Sequence, residues 1–283
     1  MGYYNNLALF CRTHGLDPSY QKSQDYYDVS ASLGLSFKQQ AAMINGGSTP
    51  CPNCGKGIGQ SGHCFYCGKS IRTDVKFDRL LAKARQARNK QEAMRLWDQS
   101  VSIVSTAGER YLNSRKLELP PNPDEVLRWH RSCKFGINRV PCMVALFRNV
   151  VTDKPTAVHR TCISTGERMA LGPIAKAAIK LWPLNGSEAL AVGEGIETVL
   201  AAVQLGAASP PAWATSVANN LSKLPMIKGV KQLTILADND RSRTGESNAR
   251  ELRRRWIKTG REVVIKMPEE IGADFNDLLR RAS

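Results

Sequence analysis

Three short apolar runs, Ala189–Val192, Leu233–Leu236 and Val263–Ile265, mark the last third of the chain. Each is partly β-branched and too short for a helix, so each suits a buried strand. Between the second and third, residues 245–259 place Leu252 and Trp256 one helical turn apart, with Arg250, Arg253, Arg254, Arg255 and Lys258 around them. That pattern predicts a helix covering one sheet face and turning its cations outward. Strands alternating with helices predict an α/β fold with a parallel sheet flanked by helices. Upstream, 126–183 reads as a mixed α/β segment, and Pro120, Pro121 and Pro123 interrupt helical patterning before it. Residues 74–105 read as one or two helices with Lys76, Arg79, Lys83, Arg85, Arg88, Lys90 and Arg95 on more than one face. A solvated connecting helix and a surface tracking a nucleic-acid backbone explain that spread equally well. Near the start, 5–13 suggests a short helix, and 28–35 with 36–44 suggests helix, Gly turn, helix, either packed on the cysteine-bearing segment beyond it or reading DNA.

Acidic residues stand at the ends of these strands. Gly193-Glu194-Gly195-Ile196-Glu197 follows the first run, Ala237-Asp238-Asn239-Asp240 the second, and Asp274-Phe275-Asn276-Asp277 opens the last helix. Ligand crevices of open α/β sheets lie outside the carboxyl ends of the strands, so these carboxylates are expected to converge. Converging carboxylates repel unless a cation lies between them, and hard oxygen donors suit Mg²⁺ or Mn²⁺. Phosphoryl or nucleotidyl transfer is the chemistry such a site serves. Asp274, Asn276 and Asp277 have a second reading as helix caps.

Charge and cysteine content narrow the reading. The 283 residues carry a formal net charge of +15, with 42% hydrophobic and 23% charged residues, which excludes a disordered chain. A field of that sign and a pI near 9.6 point to a polyanionic partner, nucleic acid above all. No export signal or long apolar span is evident, so a cytoplasmic location and reduced thiols are expected. Of eight cysteines, four form the knuckles Cys51-Pro-Asn-Cys54 and Cys64-Phe-Tyr-Cys67, each followed by Gly. Thiolates at this spacing predict a structural Zn²⁺ in a compact ribbon, with an iron–sulfur cluster or a redox dithiol as the alternative and His63 as a substitute ligand. Lys56, Phe65, Tyr66 and Lys69 would then face single-stranded nucleic acid. Cys133, Cys142 and Cys162 lack paired spacing and read as buried side chains.

Taken in order, Glu194, the Asp238-x-Asp240 pair and Asp274-Phe275-Asn276-Asp277-Leu278-Leu279 resemble the Toprim domain of phage and plasmid primases. Arg110-Tyr111-Leu112, Arg115-Lys116-Leu117, residues 141–145, His159-Arg160-Thr161 and 214–221 extend the resemblance over about two-thirds of the chain. It implies a DNA primase: a nucleotidyltransferase making short primers on single-stranded DNA from nucleoside triphosphates. Glu194, Asp238 and Asp240 would be the catalytic, Mg²⁺- or Mn²⁺-holding residues. Arg160, Lys176 and Lys180, with Asp274, Asn276 and Asp277, would meet substrate. The implied organisation is a helical segment at 1–48, a zinc ribbon at 49–72, a helical linker at 73–107, an N-terminal catalytic subdomain at 108–187 and Toprim at 188–283. No phosphate-binding Gly-x-x-x-x-Gly-Lys-[Ser/Thr] motif occurs, so unwinding would fall to a separate helicase or replication protein. The rival implication is a non-catalytic zinc and Toprim DNA-binding protein, as in recombination mediators of the RecR type.

Overall fold

The computed structural model describes residues 75–282 except 217. The expectations for 1–48 and for Cys51, Cys54, Cys64 and Cys67 lie outside the described residues. Residues Met1–Arg88 and Asn89–Ser283 form two compact units, and the second holds the sheet and all the acidic motifs.

Helix α1 (Val75–Gln99) ends in this unit, where Ala93 and Trp97 are buried against Cys133, Cys142, Val144 and Leu146. Its last turns therefore belong to the core, which a purely solvated linker would not. After β1 (Val101–Ser102), Thr106 caps α2 (Ala107–Ser114) by accepting from the Gly108 N–H. A 3₁₀ turn (Pro123–Glu125) leads into β2 (Leu127–Phe135), β3 (Asn138–Asn149), β4 (Pro155–Cys162), β5 (Arg168–Leu171) and β6 (Ala177–Ile179). The expectation of mixed α/β structure over 126–183 thus resolves into antiparallel strands, with α2 supplying the helix just before them.

The final third alternates as its apolar runs require: β7 (Ala189–Gly193), α3 (Ile196–Gln204), β8 (Ala212–Ala214), α4 (Ala218–Ser222), β9 (Gln232–Leu236), α5 (Thr244–Ile257), β10 (Glu262–Lys266) and α6 (Phe275–Ala282). One sheet runs through the unit in the order β1-β2-β3-β6-β8-β7-β9-β10, with β4 and β5 branching from β3. Strands β8, β7, β9 and β10 are parallel, and β6 joins them to the antiparallel half through β3 and β8.

Alternation along the parallel strands builds three layers. Ala191 and Leu236 face Val199, Leu200, Phe275 and Leu279 of α3 and α6. Leu190, Val192, Leu233 and Ile235 face Leu252 and Trp256 of α5. Full burial of a side chain of this size contributes about 1.5–3 kcal/mol, so these two seams fix the parallel strands and the loops at their carboxyl ends.

Candidate active site

The acidic motifs close on a cavity where β7 and β9 end. Its lining includes Glu194, Glu197, Asp238 and Asp274, together with His159, Arg168, Thr198 and Ser216. Glu194 follows the last residue of β7, and its position depends on Gly193. A Cβ there would stand 2.8 Å from Val199 Cγ2 and 3.3 Å from Leu236 Cβ, so a side chain would have to displace Val199 of α3. Asp238 leaves β9 two residues after its end and is oriented by Thr198, whose hydroxyl donates to Oδ1 at 3.2 Å. Gly245 supports the same loop, since a Cβ at that position would meet the Asp238 carbonyl oxygen at 2.8 Å.

Asp274 is both cap and cavity wall. Its Oδ1 accepts the Asp277 N–H at 2.8 Å while Asp277 Oδ2 accepts the Asp274 N–H at 3.2 Å, a reciprocal capping box at the start of α6. Capping and a place beside the other acids thus coincide in one residue. Asp277 serves the cap, and Asn276, 0% exposed, donates to the Arg115 carbonyl at 2.9 Å to tie α6 to the end of α2. Neither lines the cavity.

Asp240 stands close enough to Asp238 for its charge to help raise that carboxyl, and its own oxygens also cap a helix. Its Oδ1 accepts the Ser242 hydroxyl at 2.5 Å and the Thr244 N–H at 3.2 Å, and Oδ2 accepts the Gly245 N–H at 3.0 Å. The amides at the start of α5 have no intrahelical partners, and they capture this carboxylate. The Ser242 hydroxyl and the Gly245 amide hold its pKa below the ordinary carboxylate value.

Two of the three cations expected at the substrate, Arg160 and Lys180, are engaged by the scaffold. Arg160 is 6% exposed and lies outside the cavity lining. Its guanidinium donates to the Lys134 carbonyl at 2.5 Å and the Ala170 carbonyl at 3.1 Å, binding β2 and β5 to β4. Lys180 pairs with Asp153 at 2.8 Å and sits 4.6 Å from the centre of the Trp213 ring. Lys176 is exposed at a left-handed turn before β6. Cys133, Cys142 and Cys162 are buried, as their spacing suggested.

Electrostatics show that the cavity acids feel one another. Burial, then Asp274 and Glu194, push the Asp238 carboxyl up from 3.8 to about 6. Burial lowers His159 to about 4, leaving a neutral ring whose Nδ1 lies 2.5 Å from the Ser216 hydroxyl. Ser216 is held in a left-handed conformation at φ 70° by its N–H bond to the Glu194 carbonyl at 2.7 Å. For Glu197, burial alone would raise the pKa; Arg168 and the Tyr111 hydroxyl outweigh it and hold the carboxylate ionised. Among the described residues, no group of three His, Cys, Asp or Glu side chains forms a ready-made metal cage. The donor chemistry nevertheless fits a hard divalent cation: Glu194, Asp238 and Asp274 share one small polar cavity, and Asp238 is raised first by burial and then by the charges of Asp274 and Glu194, which a cation would relieve.

A sheet with these carboxylates at its strand ends defines a Toprim α/β domain. Residues 189–283 match the family model described as Toprim domain, and residues 87–187 match the model described as Domain of unknown function (DUF7146). A comparison with curated proteins finds no match. Among solved structures, the chain is similar to a DNA primase domain from Pseudomonas aeruginosa, at 13% identity and TM-score 0.48, covering 68% of this chain and 74% of that one. It is also similar to the primase fragment of the bacteriophage T7 primase-helicase protein, at 17% identity and TM-score 0.45, covering 82% and 93%. A third is the RNA polymerase domain of the Mycobacterium tuberculosis primase DnaG, at 12% identity and TM-score 0.39, covering 70% and 82%.

Tyr111, His159, Arg168, Thr198 and Ser216 complete the site, and sequence reasoning does not single them out as its members.

Proposed function

We propose that the chain is a primase-type nucleotidyltransferase that joins nucleotides on single-stranded DNA. The observation that carries this reading is the convergence of Glu194, Asp238 and Asp274 on one cavity at the carboxyl ends of β7 and β9. Glu194, Asp238 and Asp274 would hold Mg²⁺ or Mn²⁺, which when bound supplies charge neutralisation for the phosphates of the incoming nucleoside triphosphate. Asp240, through its cap on α5, fixes the loop that presents Asp238. Thr198 keeps Asp238 Oδ1 turned into the cavity. Glu194, beside the incoming primer end, accepts the proton of the attacking 3′-hydroxyl when that oxygen attacks the α-phosphorus, and pyrophosphate departs. Placement of the two reactants in line contributes most of the acceleration in such transfers.

The basic composition supports a nucleic-acid template, and a Zn²⁺ held by Cys51, Cys54, Cys64 and Cys67 would order the segment that meets it. A separate helicase would open the duplex. No described helix is long and apolar enough to cross a membrane. The proposed place of work is the cytoplasm of a bacterial cell, on a phage, plasmid or chromosomal replicon. The formal net charge of +15 also suits a second reading, a Toprim DNA binder that does no synthesis.

Incubation of the purified chain with Mg²⁺ or Mn²⁺, single-stranded DNA and labelled nucleoside triphosphates tests the choice. Short oligomers are expected, and Glu194→Gln and Asp238→Asn should abolish them while DNA binding persists. DNA binding without synthesis on any template would establish the second reading instead.

A further inference from the structure

The Gly193–Glu197 motif carries two carboxylates, and nucleotidyl transfer as proposed employs one. Glu197 is 3% exposed, and both of its oxygens are engaged inside the protein. Oε1 accepts from the Tyr111 hydroxyl at 3.0 Å, and Oε2 lies 3.0 Å from Arg168 Nη2. A carboxylate withdrawn so far from water must be paired, and both Glu197 oxygens are.

The pair is lopsided. The Glu197 side chain is 4% exposed, whereas that of Arg168 is 46% exposed and stands in the wall of the acidic cavity beside Glu194, Asp238 and Asp274. A guanidinium presents five N–H donors in a rigid fork, more than one bond to Glu197 can occupy. The other basic group in that wall, His159, is neutral. Arg168 is therefore the permanent cation among the described residues lining the cavity. It is anchored at the first residue of β5, in register with Thr161 of β4, so its backbone is set by the sheet. Tyr111 reaches the same carboxylate from α2, and Glu197 itself lies in the first turn of α3, three residues beyond Glu194. One short helix start thus fixes an acid for a cation and, through Glu197, a cation for an anion.

We infer that Arg168 contacts the phosphates of a nucleoside triphosphate, with Glu197 and Tyr111 as the positioning residues that aim it. This rests on the nucleotidyl-transfer reading and names the side chain that receives the anionic tail. Arg160 and Lys180, the cations expected there from sequence, are bound to scaffold carbonyls and to Asp153.

Calorimetric titration of the full chain with ATP plus Mg²⁺, and separately with inorganic tripolyphosphate plus Mg²⁺, tests this directly. Arg168→Lys retains the charge that Glu197 needs but loses the fork, and should weaken both ligands by about tenfold. Arg168→Gln alone would strand a buried carboxylate, so the paired change Arg168→Gln with Glu197→Gln is the second variant. It should weaken both by about 10–100-fold while far-UV circular dichroism and DNA affinity stay those of the wild type. Tyr111→Phe should give a smaller loss that appears in KM and leaves kcat unchanged. Wild-type affinity in Arg168→Lys and in the paired variant, or no binding of either ligand to the wild-type chain, overturns the inference. A chain that binds ATP through Arg168 yet makes no oligomers would sink the polymerising role alone. A chain that makes oligomers with unaltered KM in Arg168→Lys would sink this assignment alone.

Discussion

Replacing Asp238 with Asn should make the metal-free protein more stable. The carboxyl is raised from 3.8 to about 6 by burial and by Asp274 and Glu194, and a shift of that size corresponds to about 3 kcal/mol of penalty on the ionised form at neutral pH. Because the carboxylate retains some contact with solvent in the cavity, about 2 kcal/mol is the expected gain on removing its charge. Asn keeps the oxygen that accepts from the Thr198 hydroxyl, so the loop loses no hydrogen bond. For a unit of this length the gain appears as a rise in Tm of about 4–8 °C. The pH dependence follows from the direction of the shift. A folded pKa above the unfolded one means that protonation favours the fold: the contribution is full below about pH 4 and is lost as pH rises through about 6.

Thermal unfolding in EDTA, followed by circular dichroism at several pH values, should therefore show the Asp238→Asn variant ahead of the wild type at pH 7.5 and the two converging near pH 4. Mg²⁺ should reverse the order at neutral pH, since a ligand stabilises the form that binds it. A variant no more stable than wild type at pH 7.5 in EDTA, or a gap that does not close on acidification, would show that the cavity acids do not repel one another. The shared site would then be refuted.

Two other substitutions separate scaffold from site. Arg160→Met leaves the Lys134 and Ala170 carbonyls without their donor and should cost about 3 kcal/mol in urea unfolding; a KM for nucleotide raised severalfold in the folded variant would return Arg160 to the substrate. Gly245→Ala brings a Cβ within 2.8 Å of the Asp238 carbonyl oxygen and 3.2 Å of Asp240 Oδ2, so it should lower stability by about 1–3 kcal/mol and reduce synthesis through displacement of Asp238. Unchanged melting and activity would mean that this loop is not set by contact with α5.

Much of the fold was legible because its signals are local. The runs at 189–192, 233–236 and 263–265 became β7, β9 and β10 with one residue added at one or both ends, and Leu252 and Trp256 are the face of α5 that is buried. Glu194 and Asp238 were legible for the same reason: an acid just after a strand has little choice of where to stand. The cap made by Asp240 was not legible, because the motif alone assigns its carboxylate to a metal and does not show that the unpaired amides at the start of a helix bind it. Glu197 and Tyr111 each stood in a sequence motif, but their meeting with Arg168 was not legible, since the members come from α2, α3 and β5, and 86 residues separate Tyr111 from Glu197.

His159 and Arg160 show where a sequence reading must stop. Neighbours on a strand face opposite sides of the sheet, so only one of the two can enter the cavity. Ordinarily the wetter side reveals itself through alternation, but β4 is buried from Ala157 to Cys162 on both faces, and the period-two signal is absent. Charge then misleads, because a permanent cation is expected to seek the open side. The structure resolves it the other way. The backbone carbonyls of Lys134 and Ala170 receive the Arg160 guanidinium in the interior, while the ring that can shed its proton takes the cavity face opposite Ser216. A neutral imidazole can line a small cavity without a counterion, whereas a guanidinium facing the same acids would pair with them and compete with the cation they are proposed to hold. Among the described residues the cavity wall has such a guanidinium only at Arg168, and there it is paired with Glu197.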